Sequence, residues 1–205
     1  MLEAVGQPGG APLEPPRLVI GAPLPVGMTA DAELADLLLP VKWAVAPLRE
    51  RLQERFPPGH RLVDLHDVWL GEPALPGVVM AGDYLVSLGT AGIGDDRPTI
   101  PTAAPSSVAT MDGLQDAINV LLAATLVPHM RTRGDRTTAH NLRALVLDAR
   151  AVPAGRVWMR LRIDPVLGTG RPDDVLDALG AIAGVPFRAV QRHRERLWLR
   201  GELAV

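Results

Sequence analysis

Arginine and tryptophan alternate in two stretches near the C-terminus, Arg156-Val-Trp-Met-Arg-Leu-Arg-Ile163 and Phe187-Arg-Ala-Val-Gln-Arg-His-Arg-Glu-Arg-Leu-Trp-Leu-Arg200. In an extended strand, successive side chains point to opposite faces. Arg156, Trp158, Arg160 and Arg162 therefore share one face, with Val157, Met159, Leu161 and Ile163 on the other. In the second stretch Arg192, Arg194, Arg196, Trp198 and Arg200 share a parity, opposite Leu197 and Leu199. Guanidinium groups neutralise phosphates, and indoles stack on bases at roughly 1–3 kcal/mol per contact. Each phosphate contact adds salt-sensitive affinity. The RNA-contact set on this reading is Arg156, Trp158, Arg160, Arg162, Arg192, Arg194, Arg196 and Trp198. The same pattern also fits an interface for an acidic protein, or a solvated face on which arginine stems pack over indoles.

Other candidates are weaker. Gly168-Thr-Gly-Arg-Pro-Asp173 opens a helix, so Gly168, Gly170 and Arg171 form a candidate anion-binding set through free backbone N–H groups. The stretch lacks the spacing of a phosphate-binding loop or a dinucleotide fingerprint, and a plain turn with Pro172 starting the helix is the favoured reading. Gly89-Thr-Ala-Gly-Ile-Gly94 has the wrong spacing and reads as a linker. Asp64, His66 and Asp67 lie within four positions, but strand alternation places Asp67 opposite the other two, so no metal site is assigned. His129, His140 and His193 read as loop or surface histidines. Ser87, Ser106 and Ser107 lack a nucleophile-elbow context, and Asp95-Asp96 and Asp173-Asp174 fit a loop and a helix start. No catalytic residue is assigned, and no cofactor.

With 205 residues, 47% of them apolar, the chain can bury a sizeable core. No cysteine is present, which excludes disulfides and thiolate chemistry and fits a reducing compartment. No apolar run reaches the ~20 residues that span a bilayer, and the N-terminus has no signal-peptide pattern, so a cytoplasmic protein without membrane contact is expected. The net charge of −2 hides an imbalance. Residues 1–130 carry 7 basic against 15 acidic side chains, whereas 131–205 carry 14 against 8. That asymmetry points to an anionic partner for the C-terminal part, although Lys42 is the only lysine and arginine also fills ordinary surface positions.

Residues 1–17 read as a disordered lead-in rich in Gly and Pro. Leu18–Val26 and Ala32–Leu39 read as a hairpin-like strand pair around Gly27–Asp31. Val41, Val45, Leu48, Leu52 and Phe56 recur at helical spacing up to Pro57-Pro58-Gly59, and Arg61–Leu70 reads as a strand. Next come a strand over Val78–Leu88, a mobile connection over 89–110, and a helix capped by Asp112 with Leu114, Ile118, Leu121 and Leu122 on its apolar side. A basic loop over 131–136 precedes a hairpin, Leu142–Val152 with Arg156–Ile163. A helix opened by Pro172 carries Val175, Leu176, Leu179 and Ile182, and the last strand is Phe187–Leu199.

The fold class is therefore α+β, in two ferredoxin-like βαββαβ halves with antiparallel sheets and helices on one face. The halves span 18–77 and 78–205, and the first is incomplete, ββαβ. Its absent first strand would lie centrally, so the remaining strands lack a shared neighbour. Another chain supplies that strand, the true start lies upstream, or the halves merge their sheets. If the start lies upstream, an in-frame extension raises the melting temperature.

Pro16-Arg-Leu-Val-Ile-Gly-Ala-Pro-Leu-Pro-Val-Gly-Met28 with Ala32–Asp36, Leu62–Leu70, Asn141–Asp148 and Gly168–Gly180 together resemble the radical-SAM-linked family of unknown function. The resemblance covers roughly residues 16–200 and implies a partner domain, fused to or encoded beside a radical SAM protein. It also implies, by gene neighbourhood alone, a link to RNA modification or translation. Family members carry a β-strand and a basic helix before the segment matching Pro16, the unit that the element order finds missing. The expectation is a non-catalytic partner module of a radical SAM enzyme that binds RNA; the alternative is a protein-docking module without RNA contact.

Overall fold

A computed structural model describes residues 14–69, 71–89 and 108–203. In chain order the elements are β1 (Arg17–Ile20), β2 (Thr29–Ala30), β3 (Ala35–Leu38), α1 (Val45–Gln53), β4 (Val79–Gly89), α2 (Val108–Ala123), β5 (Pro128–Arg133) and β6 (Arg136–Asn141). They continue with β7 (Val146–Val152), β8 (Arg156–Asp164), β9 (Gly168–Thr169), α3 (Pro172–Ala183) and β10 (Arg188–Leu199). The described chain is α+β, with three helices and a larger share of strand. It divides into two compact units, one holding residues up to Ala22 and Leu34–Val78, the other Pro23–Glu33 and the chain from Val79 onward.

In the first unit β1 pairs antiparallel with β3, Leu18 opposite Leu37. Pro23 and Pro25 cannot donate to a ladder, which ends β1 well before the expected Val26. Helix α1 forms on its apolar spacing, with Leu48 buried. The strand expected over Arg61–Leu70 is not formed across 61–69, and Leu70 lies outside the described residues. Among the described residues this segment has no neighbouring strand. Arg49 holds it instead, bonding Asp64 (2.7 Å) and the Leu65 carbonyl (2.9 Å).

The second unit centres on a six-stranded sheet ordered β2-β10-β4-β8-β7, with β9 paired to β8. The sheet is mixed rather than antiparallel, because β2 runs parallel to β10. His193 pins that short strand, with Nδ1 2.8 Å from the Thr29 hydroxyl and Nε2 3.2 Å from Asp31. Helices α2 and α3 pack against each other, α2 against β7 and α3 against β10. The core lies between them and one sheet face, joining Tyr84, Val86, Val157, Met159 and Leu161 to Leu114, Ile118, Leu121, Val175, Leu176 and Leu179. Burying a side chain of this size contributes roughly 1.5–3 kcal/mol each.

Helix α3 opens on Pro172 and closes at Gly184, whose φ of +70° makes a left-handed cap. The three-residue β7–β8 loop, Pro153–Gly155, places Ala154 and Gly155 at φ 65° and 64°, both in the left-handed region. Helix α2 already runs from Val108, so Asp112 lies inside it rather than at its cap. The basic loop expected over 131–136 is the β5–β6 hairpin, turning at Gly134 with φ +58°. The lead-in over 1–17 falls outside the described residues up to Leu13, as does the connection over residues 90–107.

Candidate functional site

Cross-strand partners share a face, so the register assigns every side chain of the sheet. Arg156, Trp158, Arg160 and Arg162 of β8 stand opposite Ser87, Leu85, Asp83 and Ala81 of β4, on the face away from the helices. From β7, Asp148 and Arg150 join them beside Arg160 and Trp158. In β10 the expected common parity is broken. Arg194 pairs with Tyr84 but Arg196 pairs with Asp83, because a bulge inserts Glu195 between them. A bulge puts two residues of one strand against one of its neighbour and turns the rest over. Arg196 and Trp198 therefore lie on the open face, while Arg192 and Arg194 lie on the helix side.

Both displaced arginines are held there. Arg192 Nε donates to Asp173 of α3 at 2.9 Å. Arg194 is 2% exposed and donates to both carboxylate oxygens of Glu33, through Nε at 2.8 Å and through Nη2. Burial works against its charge, but the bonds to Glu33 and Tyr84 prevail and keep the guanidinium more basic than usual.

On the open face the cations and indoles interleave across three strands. The Arg150 guanidinium lies 3.9 Å from the Trp158 ring centre, and Arg160 lies 5.4 Å from the same ring. Arg160 also lies 4.2 Å from the Trp198 ring, and Arg196 caps that ring at 4.0 Å. The ladder reads Arg150, Trp158, Arg160, Trp198, Arg196, with the small Ala81 of β4 on the same face opposite Trp198. Asp83, 6% exposed, accepts two bonds from Arg160 at 2.7 and 2.9 Å, which keeps that guanidinium firmly charged. Trp158 donates through Nε1 to Glu195 at 3.0 Å. Arg196 pairs with Glu202 at 3.2 Å. Arg156 and Arg162 bond through Nε to the carbonyls of Pro153 and Ala144, and neither is ion-paired among the described residues.

Chemically this is a pre-assembled face in which each indole already lies against a guanidinium, and the central cation is matched by a buried carboxylate. Asp83, Arg150 and Glu195 were not singled out from sequence. A lone acid inside the apolar run of β4 was the legible signal for Asp83, and alternation along β7 was the one for Arg150.

The anion-binding set does not come together. The Gly170 N–H donates to the Arg162 carbonyl at 2.8 Å, and the first turn of α3 already presents Asp173 and Asp174. A side chain on Gly170 would meet Leu161 Cβ at 2.9 Å and the Leu145 carbonyl at 3.0 Å, so this glycine serves close packing. Arg171 is exposed and makes no side-chain cap. The histidines stand on strands rather than in loops. His129 and His140 face each other across the β5–β6 ladder, ring centres 5.3 Å apart. His129 Nε2 lies 3.4 Å from Asp174, which also pairs with Arg131. Burial, and then the nearby charges of Arg131 and His129, hold His140 below its ordinary pKa. Asp64 is held below the usual carboxylate range, chiefly by the Arg49 bond. Among the described residues no three His, Asp or Glu side chains are grouped to hold a metal ion. The open hollow beside the end of α3, lined by Leu176, Asp177, Gly180, Val185 and Phe187, has Asp177 as its single charged side chain.

Fold and face together define an α+β protein of two units, the larger carrying a cation–π ladder on the sheet face away from its helices, with Trp158 buried and Arg150 and Arg196 exposed at its two ends. The chain belongs to the bacterial family described as "Uncharacterized protein conserved in bacteria (DUF2344)", whose model matches residues 14–175. No curated protein and no solved structure matches it. No described helix is long and apolar enough to cross a membrane.

Proposed function

We propose that this chain is a non-catalytic docking module that binds a protein partner through the Arg–Trp face of its larger sheet. The observation that carries the reading is the ladder from Arg150 to Arg196. Each indole already has a guanidinium within 4.2 Å of its ring centre, so a base that stacks there must compete with an arginine, whereas the exposed Arg150 and Arg196, paired with the exposed Asp148 and Glu202, can exchange those partners for carboxylates of a docking protein. Pre-organisation lowers the entropy lost when a partner docks. By the resemblance of its motifs, the partner is a radical SAM protein in the cytoplasm. We also read the second unit as a ferredoxin-like half, since β4-α2-β7-β8-α3-β10 with sheet order β10-β4-β8-β7 is that connectivity. In the second reading, RNA contacts the face through phosphates alone; Arg156 and Arg162, at the ends of the β8 row and without ion pairs among the described residues, support it.

The test is affinity capture from native lysate, with proteins and RNA identified from one eluate. It is repeated after nuclease treatment and with the exposed pair replaced, Arg150→Ala/Arg196→Ala. A radical SAM protein retained through nuclease and lost in the variant is expected. Material that disappears with nuclease, or a partner indifferent to the variant, overturns the docking reading.

A further inference from the structure

Helix α3 carries three aspartates in its first half, Asp173, Asp174 and Asp177, and two of them are paired. Asp173 accepts from Arg192, and Asp174 from Arg131. The Asp177 carboxylate is exposed and has neither an ion pair nor a hydrogen bond among the described residues. It lines the open hollow beside the end of α3, about 320 Å³ in volume, which it shares with Leu176, Gly180, Val185 and Phe187.

Gly180 shapes this hollow. A Cβ at that position would meet the Val185 carbonyl at 3.0 Å and Pro186 Cα at 3.4 Å, so glycine lets the chain at 185–187 lie close against the helix. Leu176 belongs to the core and Phe187 packs against it, which fixes the apolar side of the hollow, while Val185 is 48% exposed. The electrostatics of the hollow have one sign, since Asp177 is its single charged side chain. The last turn of α3 holds no basic residue, so nothing within the helix offsets the partial negative charge at its carbonyl end. An acidic occupant is repelled, and a purely apolar one strips water from Asp177 without pairing it. A long basic side chain suits both halves, with its methylene stem on Leu176, Val185 and Phe187 and its charged head at Asp177.

We propose that this hollow receives one Lys or Arg side chain of a partner protein. The choice of a protein over a free amine follows from how open the hollow is. A single exposed carboxylate holds an amine weakly in water, whereas a docked protein adds contacts around the hollow, Val185 among them.

The experiment titrates the isotope-labelled full chain with the capped peptide Ala-Leu-Arg-Leu-Ala and reads amide shifts at 176–188. Saturable shifts are expected there. The same peptide with citrulline in place of arginine keeps the stem and loses the charge, and should bind about fivefold more weakly. In Asp177→Asn the ratio between the two peptides should shrink to about twofold or less. Ala181→Leu fills the hollow from an exposed position and should remove the binding, with both variants melting near the parent chain. No saturable shift at 176–188 below about 10 mM peptide overturns the proposal. Equal binding of the two peptides to the parent chain, or a ratio unchanged in Asp177→Asn, does the same. So does butylguanidinium binding as tightly as the peptide, which makes a small cation the ligand. Shifts at 176–188 that grow with chain concentration in the absence of peptide make a second copy the occupant and also overturn it.

Discussion

Glu33 sits in the Pro23–Glu33 excursion and is the counter-charge of the most deeply buried cation among the described residues, Arg194. Glu33→Ala leaves that guanidinium without its carboxylate, and removing one member of a buried pair costs roughly 3 kcal/mol. Urea unfolding of the variant should show that loss; less than about 1 kcal/mol would mean that water reaches Arg194. His140 gives a pH dependence of defined sign. Its folded value lies below the ordinary 6.5, so the unfolded chain takes up the proton more readily. The contribution of this site is intact above about 6.5 and declines as the pH drops below it. His129 and Arg131 on the same hairpin and Asp174 on α3 face His140; Asp174 and the backbone bond at Thr138 favour its protonation but are outweighed. Thermal melts between pH 7.5 and 5 should lose less stability in His140→Gln than in the parent chain, and parallel curves would remove His140 as the cause.

At the level of elements, Ala154 occupies a left-handed position in the β7–β8 turn that favours Asn or Gly. Ala154→Asn is expected to stabilise by about 0.5–1 kcal/mol, read as a higher melting temperature. The bulge in β10 gives a second prediction. Deleting Glu195 lets Arg196 follow Arg194 in regular register, still opposite Asp83, so Leu197 stays buried and Trp198 stays on the open face. The deletion should fold and lose about 1–3 kcal/mol, because the Trp158 N–H loses its acceptor. The apolar strands were legible: β4 and β8 fall where they were expected, as does α3 between Pro172 and Gly184, whereas the strand expected from Leu142 starts only at Val146, because Leu142–Leu145 form a 3-10 turn. The misses were long-range. Nothing local in Arg188–Leu199 marks a bulge, since the extra residue is set by pairing with β4, and so half of the expected arginine row fell on the wrong face. Thr29–Ala30 is too short for any periodicity and is a strand only because β10 runs beside it. Arg61–Trp69 erred the other way, with strand composition and no neighbour to pair it.

For the molecule as a whole, the two units differ in how much apolar surface they remove from water. The second buries a contiguous cluster spanning β4, α2, β7, β8 and α3, whereas the first buries little beyond Ala22 and Leu48 among its described residues. Stability follows buried area at roughly 25 cal/mol per Å², so the first unit should open at lower denaturant than the second. The four tryptophans divide evenly, Trp43 and Trp69 in the first unit, Trp158 and Trp198 in the second. Fluorescence of Trp158→Phe/Trp198→Phe therefore follows the first unit, and that of Trp43→Phe/Trp69→Phe follows the second. The first signal should change at the lower urea concentration and with the smaller slope, since it exposes less surface. Replacing Trp158 also removes a ladder contact in the second unit, so 61–69 proteolysis in the parent chain provides an independent reading: cleavage there should precede any cut within β4 or β8. Coincident fluorescence midpoints together with simultaneous cleavage would mean that the two units unfold as one cooperative block.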